Sequence, residues 1–153
     1  MVSRRSAVAI GALLTALALS GCEGSFAQGP ISLRQSESGL EIGICADIEV
    51  ERVSALQRPA VLFRTWTEFW TAEGLLTVTK GDTIAVDVPL VGMATTSGAS
   101  PELKPGDEVE VIFYGTRPDG IKNASAVLVI PGDGLSETTW LQSDGRETEG
   151  VCD

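Results

Sequence analysis

At 153 residues the chain is long enough for one domain with its own core and too short for two of ordinary size. It carries 21 acidic residues against 11 basic ones, a net charge of −10, which excludes nucleic acid or an anionic lipid surface as a partner held by charge. Histidine is absent. No Cys-His or Ser-His-Asp arrangement can form, and the commonest general base and metal ligand is missing.

Arg4 and Arg5 form a short basic region, and Ala7 to Leu19 follow as an uncharged, mainly apolar run. The run is shorter than the ~20 apolar residues that a transmembrane helix needs. Leu19-Ser20-Gly21-Cys22 then places small residues immediately before a cysteine. The segment resembles the leader and lipobox of a bacterial lipoprotein. That resemblance implies that residues 1–21 are a signal peptide cut by lipoprotein signal peptidase, and that the Cys22 sulfur receives a diacylglycerol. Cys22 then becomes an acylated, palmitate-bearing N-terminus on the extracytoplasmic face of the cell membrane. Ser3-Arg4-Arg5-Ser6-Ala7-Val8 also resembles a twin-arginine export signal, so the general and the folded-export routes both stay open.

Cleavage before Cys22 takes 21 of the 153 residues and two of the 11 basic ones, which leaves 132 residues with nine basic against 21 acidic side chains. Such a mature chain is repelled by anionic head groups. Attachment must come from the acyl chains, at ~0.8 kcal/mol per buried methylene. Residues 22–30 read as a lipidated tether, and its small-residue part, Glu23 to Pro30, reaches at most ~29 Å when extended.

From Ile31 onward the pattern is strand, turn, strand, and residues 31–153 form a single β domain. Ile31, Leu33 and Gln35 begin an extended segment that stops at the turn-like cluster Ser36-Glu37-Ser38-Gly39. Leu40, Ile42, Ile44, Ala46, Ile48 and Val50 alternate with Glu41, Gly43, Cys45, Asp47, Glu49 and Glu51, which predicts one long strand with a single face on the core. Pro59 to Leu76 carries two signals. Thr65-x-x-Glu68 is a capping box with Phe63, Trp66 and Trp70 at helical spacing, but threonine and aromatic enrichment favours strand. Leu76 to Thr79 runs into the turn Lys80-Gly81-Asp82, and Ile84, Val86 and Val88 alternate after it. Gly92 to Gly106, small, polar and proline-bearing, reads as an exposed loop. Val109, Val111 and Phe113 mark the next strand, Gly115 to Gly120 a hairpin turn, and Ser125 to Ile130 its return. Pro131 to Gly134 breaks the chain, Thr138 to Gln142 makes a short strand, and Ser143-Asp144-Gly145 turns into the tail. Seven or eight short strands at this spacing predict an all-β fold. It is a small β-sandwich (Ig-like) or, alternatively, an OB-like barrel.

With Cys22 assigned to the lipid, Cys45 and Cys152 remain as an even pair in a chain exported to an oxidising compartment. Free thiols or a two-cysteine metal site are the alternatives, and the metal site has no histidine to complete it. Cys45 shares parity with Glu41, Asp47 and Glu49, so a Cys45–Cys152 disulfide is expected to clip the C-terminal tail onto the outside of the sheet. It is not expected to bridge two sheets through the core as in antibody domains.

Two patches carry a second resemblance: Trp66-Thr67-Glu68-Phe69-Trp70-Thr71-Ala72-Glu73-Gly74, and the ending from Thr139-Trp140-Leu141 through Ser143-Asp144-Gly145 to Cys152. Together they resemble small uncharacterised lipoproteins of high-GC Gram-positive bacteria. The resemblance implies an extracytoplasmic β domain with paired terminal cysteines, and it transfers no catalytic residue.

The catalytic inventory is short. No Ser-x-x-Lys spacing occurs, and Ser100 and Lys104 sit across a proline in a loop. Glu68 and Glu73 lie beside Trp66 and Trp70, a composition found where sugars stack on aromatic rings, although tryptophan in a β domain more often fills the core. Asp119, Asp133 and Asp144 adjoin glycines in turns, which suits calcium but suits turn geometry equally. The glycosylation sequon Asn123-Ala124-Ser125 is a chance match if the chain is the bacterial lipoprotein that its leader resembles. The expected function is therefore that of a membrane-anchored, non-catalytic binding or envelope-interaction module, with no cofactor, no metal and no nucleic-acid partner. Its ligand surface is expected at Trp66, Trp70, Glu68 and Glu73 and in the 92–106 loop, facing an envelope protein or glycan. A glycan-acting enzyme or accessory domain and a calcium-stabilised module are the alternative readings.

Overall fold

A computed structural model describes residues 27–61, 65–97, 100–120 and 122–153. Cys22 and the leader lie outside the described residues. The described chain forms strands β1 (Ala27–Gln28), β2 (Ile31–Ser36), β3 (Gly39–Ile44), β4 (Ile48–Arg58), β5 (Thr67–Val78) and β6 (Thr83–Ala85). It continues through β7 (Met93–Ser97), β8 (Glu108–Thr116), β9 (Lys122–Val129), β10 (Trp140–Gln142) and β11 (Glu147–Thr148). The strands fall into two sheets, ordered β1-β9-β8-β4-β5-β7 and β11-β10-β2-β3-β6. Every pairing is antiparallel except β1 with β9, which is parallel. The sheets pack face to face and do not close, so the fold is a β-sandwich and the barrel alternative is set aside.

The core is what the alternation demands. Ile31, Leu33, Leu40, Ile42, Ile44 and Leu141 face inward from the smaller sheet. Val53, Ala55, Trp70, Val109, Val111, Phe113 and Leu128 face them from the larger one. Each such aliphatic or aromatic side chain contributes about 1.5–3 kcal/mol by leaving water.

The run from Leu40 to Glu51, expected as one strand, is two. The chain breaks at Cys45-Ala46-Asp47, with β3 in the smaller sheet and β4 in the larger. One backbone bond and one side-chain bond fix the corner: Cys45 N donates to Pro30 O at 2.7 Å, and Lys80 N donates to the Asp47 carboxylate Oδ1 at 2.9 Å. Parity survives the crossing because Ile44 and Ile48 face one common core from opposite sides.

Further along β4 parity changes. Ile48 and Val50 point inward, and so do Val53 and Ala55. The register against β8 passes from Val50↔Gly115 directly to Arg52↔Tyr114, leaving Glu51 as a bulge. Beside the bulge β4 and β8 lie close together, and a Cβ on Gly115 would overlap Glu49 O. A second irregularity on β5, between Ala55↔Trp70 and Leu56↔Glu68, leaves Phe69 unpaired, and this lets Phe69 and Trp70 both turn inward.

Two expected loop regions are partly strand. Ala27–Gln28, inside the expected tether, pair with Ala124 and Ser125. Met93–Ser97, inside the expected 92–106 loop, pair with β5 as the far edge of the larger sheet. In the 59–76 stretch, the strand among the described residues begins at Thr67.

Candidate functional site

Cys45 and Cys152 are joined in a disulfide with their Cα atoms 5.2 Å apart. The tail lies on the outer face of the smaller sheet, as parity implies. Ser32, fully buried, donates its hydroxyl to Val151 O at 2.8 Å, and Gln142 Nε2 donates to Thr148 Oγ1 at 2.7 Å. Trp140 is buried here, outside the central core, with the Arg34 guanidinium 4.4 Å above its ring. Gly43 makes the room: a Cβ there would fall 2.6 Å from Val151 Cγ1 and 3.1 Å from Trp140 Cζ3.

The residues expected to form a ligand surface separate. Trp70 is 1% exposed and belongs to the core, so it presents no ring to a ligand. The physical reason is register: Trp70 pairs with Ala55 and alternates in step with Ala72, all on the inward face. Trp66 is half-buried just before β5, with the Arg58 guanidinium 4.5 Å from its ring and bonded to Glu108. Glu68 and Glu73 are exposed and share one cation: Arg52 Nη2 is 3.0 Å from Glu68 Oε2, and Arg52 Nε is 3.8 Å from Glu73 Oε1. Arg52 also donates to Ser54 Oγ at 3.1 Å and lies 5.5 Å from the Tyr114 ring. The outer face of the larger sheet is thus a cross-linked ionic layer.

The aspartates weighed for calcium sit in three separate turns. Asp119 pairs with Arg117 at 3.0 Å, and Asp144 pairs with Arg146 at 2.6 Å. The Arg146 backbone N–H and its guanidinium hold the Asp144 carboxyl below the usual carboxylate value. Asp133 lies in the turn closed by Gly134 N to Pro131 O. Among the described residues no group of three or more such side chains is placed to hold a metal ion.

Asp107 is a buried carboxylate with a structural duty. Burial pushes its carboxyl up, but the Lys104 and Ala60 N–H groups and the Gln57 amide outweigh that and hold it below its ordinary value. These three donors lie 2.8–3.1 Å from its oxygens. The bonds tie the turn before β8 to the end of β4.

One concave feature was not anticipated by the sequence. A cleft of about 470 Å³ opens at the corner where β4 begins and β8 ends, lined by Asp47, Ile48, Glu49, Thr77, Val78, Thr79, Thr116, Arg117 and Pro118. Pairing places Glu49 between Thr77 on β5 and Thr116 on β8. Arg117 gives one ion pair, to Asp119, while its Nε is buried without an acceptor among the described residues. A smaller hollow of about 270 Å³ continues past Asp47, Arg117 and Pro118 to Cys45 and Lys80. In the sequence Asp47 and Glu49 read as solvated alternation and Arg117 as a turn residue. Only sheet register brings them together.

No protein-family model, curated protein or solved structure matches the chain.

Proposed function

We propose that this chain is a lipid-anchored extracytoplasmic protein whose β-sandwich serves as a non-catalytic binding module at the cell envelope. The observation that carries the reading is the basic, apolar and small-residue leader ending at Leu19-Ser20-Gly21-Cys22. The position of β1 supports it. The first described strand begins at Ala27, five residues past Cys22, so the chain between them spans at most ~18 Å. That holds the sandwich close to the surface in which acyl chains would sit. Binding is favoured over glycan chemistry because Glu68 and Glu73 both pair with Arg52 and Trp70 lies in the core.

The test is metabolic labelling of the full chain with radioactive palmitate in a bacterial host, beside Cys22→Ala. The expected result is a labelled, membrane-associated product that loses both label and membrane association in the variant. A mature protein whose Cys22 thiol is unmodified, or still joined to the leader by mass spectrometry, overturns the reading.

A further inference from the structure

We propose that the loop from Val88 to Val91, with Leu75 beside it, rests in the head-group layer of a zwitterionic bilayer and gives the lipid-anchored domain a second point of contact. The inference rests on the anchor reading and adds an orientation to it. Val88-Pro89-Leu90-Val91 is a run of four apolar residues in an acidic chain. Soluble surfaces avoid such a run unless it serves binding. Leu90 is seated on the core, while Val88 and Val91 on either side of it are 46% and 95% exposed. Leu75, 73% exposed, adjoins them where Gly92 closes onto the Leu75 carbonyl. Two backbone bonds brace the loop, Val88 N to Ala85 O and Met93 N to Leu90 O, each at 3.2 Å. Its valines are thus held out of the fold.

Where the tether enters the fold says what covers this patch. β1 and β7 run in the same direction in the larger sheet. Register places Ala27 and Thr95 on one row across it, through Ala124, Phe113, Val53 and Ala72. From Ala27 back to Cys22 the chain reaches at most ~18 Å, and from Thr95 back to Val91 at most ~14 Å. An acylated Cys22 is therefore able to sit level with Val91, at the same end of the sheet. The two edges are about 24 Å apart at ~4.8 Å per strand, so lipid and loop make separate contacts. Sheet twist turns the edges against each other, and the sandwich tips about Cys22 until the loop lands. Asp87 and Glu73 are exposed at the rim of the patch. Anionic head groups would oppose them, which favours a neutral surface.

The full chain is expressed in a bacterial host, its acylation is read by mass spectrometry, and the product is placed in phosphatidylcholine nanodiscs carrying a lipid spin-labelled near the head group. The methyl resonances of Val88, Val91 and Leu75 are expected to be lost. Those of Val127 and Val129, also exposed but beyond the Ala27 row at the far end of β9, are expected to persist. Val88→Asp with Val91→Asp changes only exposed positions, so it should leave the melting temperature unchanged and restore the Leu75 signal. Exchanging phosphatidylcholine for phosphatidylglycerol should restore part of it. Three results in an acylated chain overturn this inference and leave the anchor standing: all three resonances persist, Val127 and Val129 are lost equally, or the loop signals fade with rising protein concentration before any spin label is added, the mark of a second copy on the patch. A product with Cys22 unacylated removes the anchor and the inference together.

Discussion

The disulfide offers the sharpest quantitative test. Cys45 and Cys152 are 107 residues apart, and the bond closes nearly the whole domain into one loop. In the chain-entropy model, releasing a loop of that length returns about 16 cal/mol/K to the unfolded ensemble, about 4.8 kcal/mol at 25 °C. Cys152→Ala also frees the tail, so the bonds from Ser32 and Gln142 to it loosen at about 1 kcal/mol each. With a urea slope of ~2 kcal/mol/M, the loop term alone moves the unfolding midpoint down by about 2.4 M. The assay is equilibrium urea unfolding of the oxidised chain and of Cys152→Ala, read by circular dichroism and tryptophan fluorescence. Trp140 is the indole that the tail covers, so its emission in the folded variant should move to the red before the global transition. A midpoint shift below about 0.5 M, about 1 kcal/mol at that slope, with unchanged folded-state emission would refute the reasoning and show the tail held by packing alone.

Asp107→Ala should destabilise by about 3 kcal/mol, because it strands the Lys104 and Ala60 N–H groups and the Gln57 amide. Since the folded carboxyl titrates below its unfolded value, its contribution is complete above about pH 4 and is lost as pH falls through the folded pKa. Thermal melts from pH 6 downward should therefore converge for wild type and variant. Gly115→Ala should cost more than about 3 kcal/mol, because the new methyl meets the Glu49 carbonyl, which cannot move without breaking β4 from β8. Gly43→Ala should cost about 1–3 kcal/mol, lifting Val151 and leaving the central core unchanged by hydrogen exchange. Trp70→Phe should fall within about 1 kcal/mol of wild type in chemical denaturation, since it removes an indole N–H that has no acceptor among the described residues. Trp70→Ala should lose about 3–5 kcal/mol.

Alternation told which side chains face the core, and it told this correctly for Leu40, Ile42, Ile44, Ile48 and Val50. It could not tell which sheet they face it from, because two opposed sheets share one interior. The corner at Cys45–Asp47 was therefore invisible. The Glu51 bulge left only a faint trace, the polar pair Glu51-Arg52 between Val50 and Val53. Met93–Ser97 was read as loop because its small residues carry little burial signal, and it is strand because β5 offers it an open edge. The cysteine pair was legible by counting once Cys22 was set aside, and its position outside the sheet followed from parity. The cleft was not legible, since Asp47 and Arg117 are far apart in sequence and meet only through the β4–β8 register.

Two hydrogen-bonded residues at a sheet edge have a mechanical consequence. Any pull on the chain ahead of Ala27 enters the domain through β1, which lies parallel to β9, with Gly29 bonded to Ser125 and Ser143 just behind it. Tension along that strand loads those bonds together in shear rather than peeling them one at a time. What passes Pro30 reaches β2 and, through the bond from Cys45 N to Pro30 O, the covalent staple itself. A module dragged by its N-terminus would thus yield last where its two ends are fastened together.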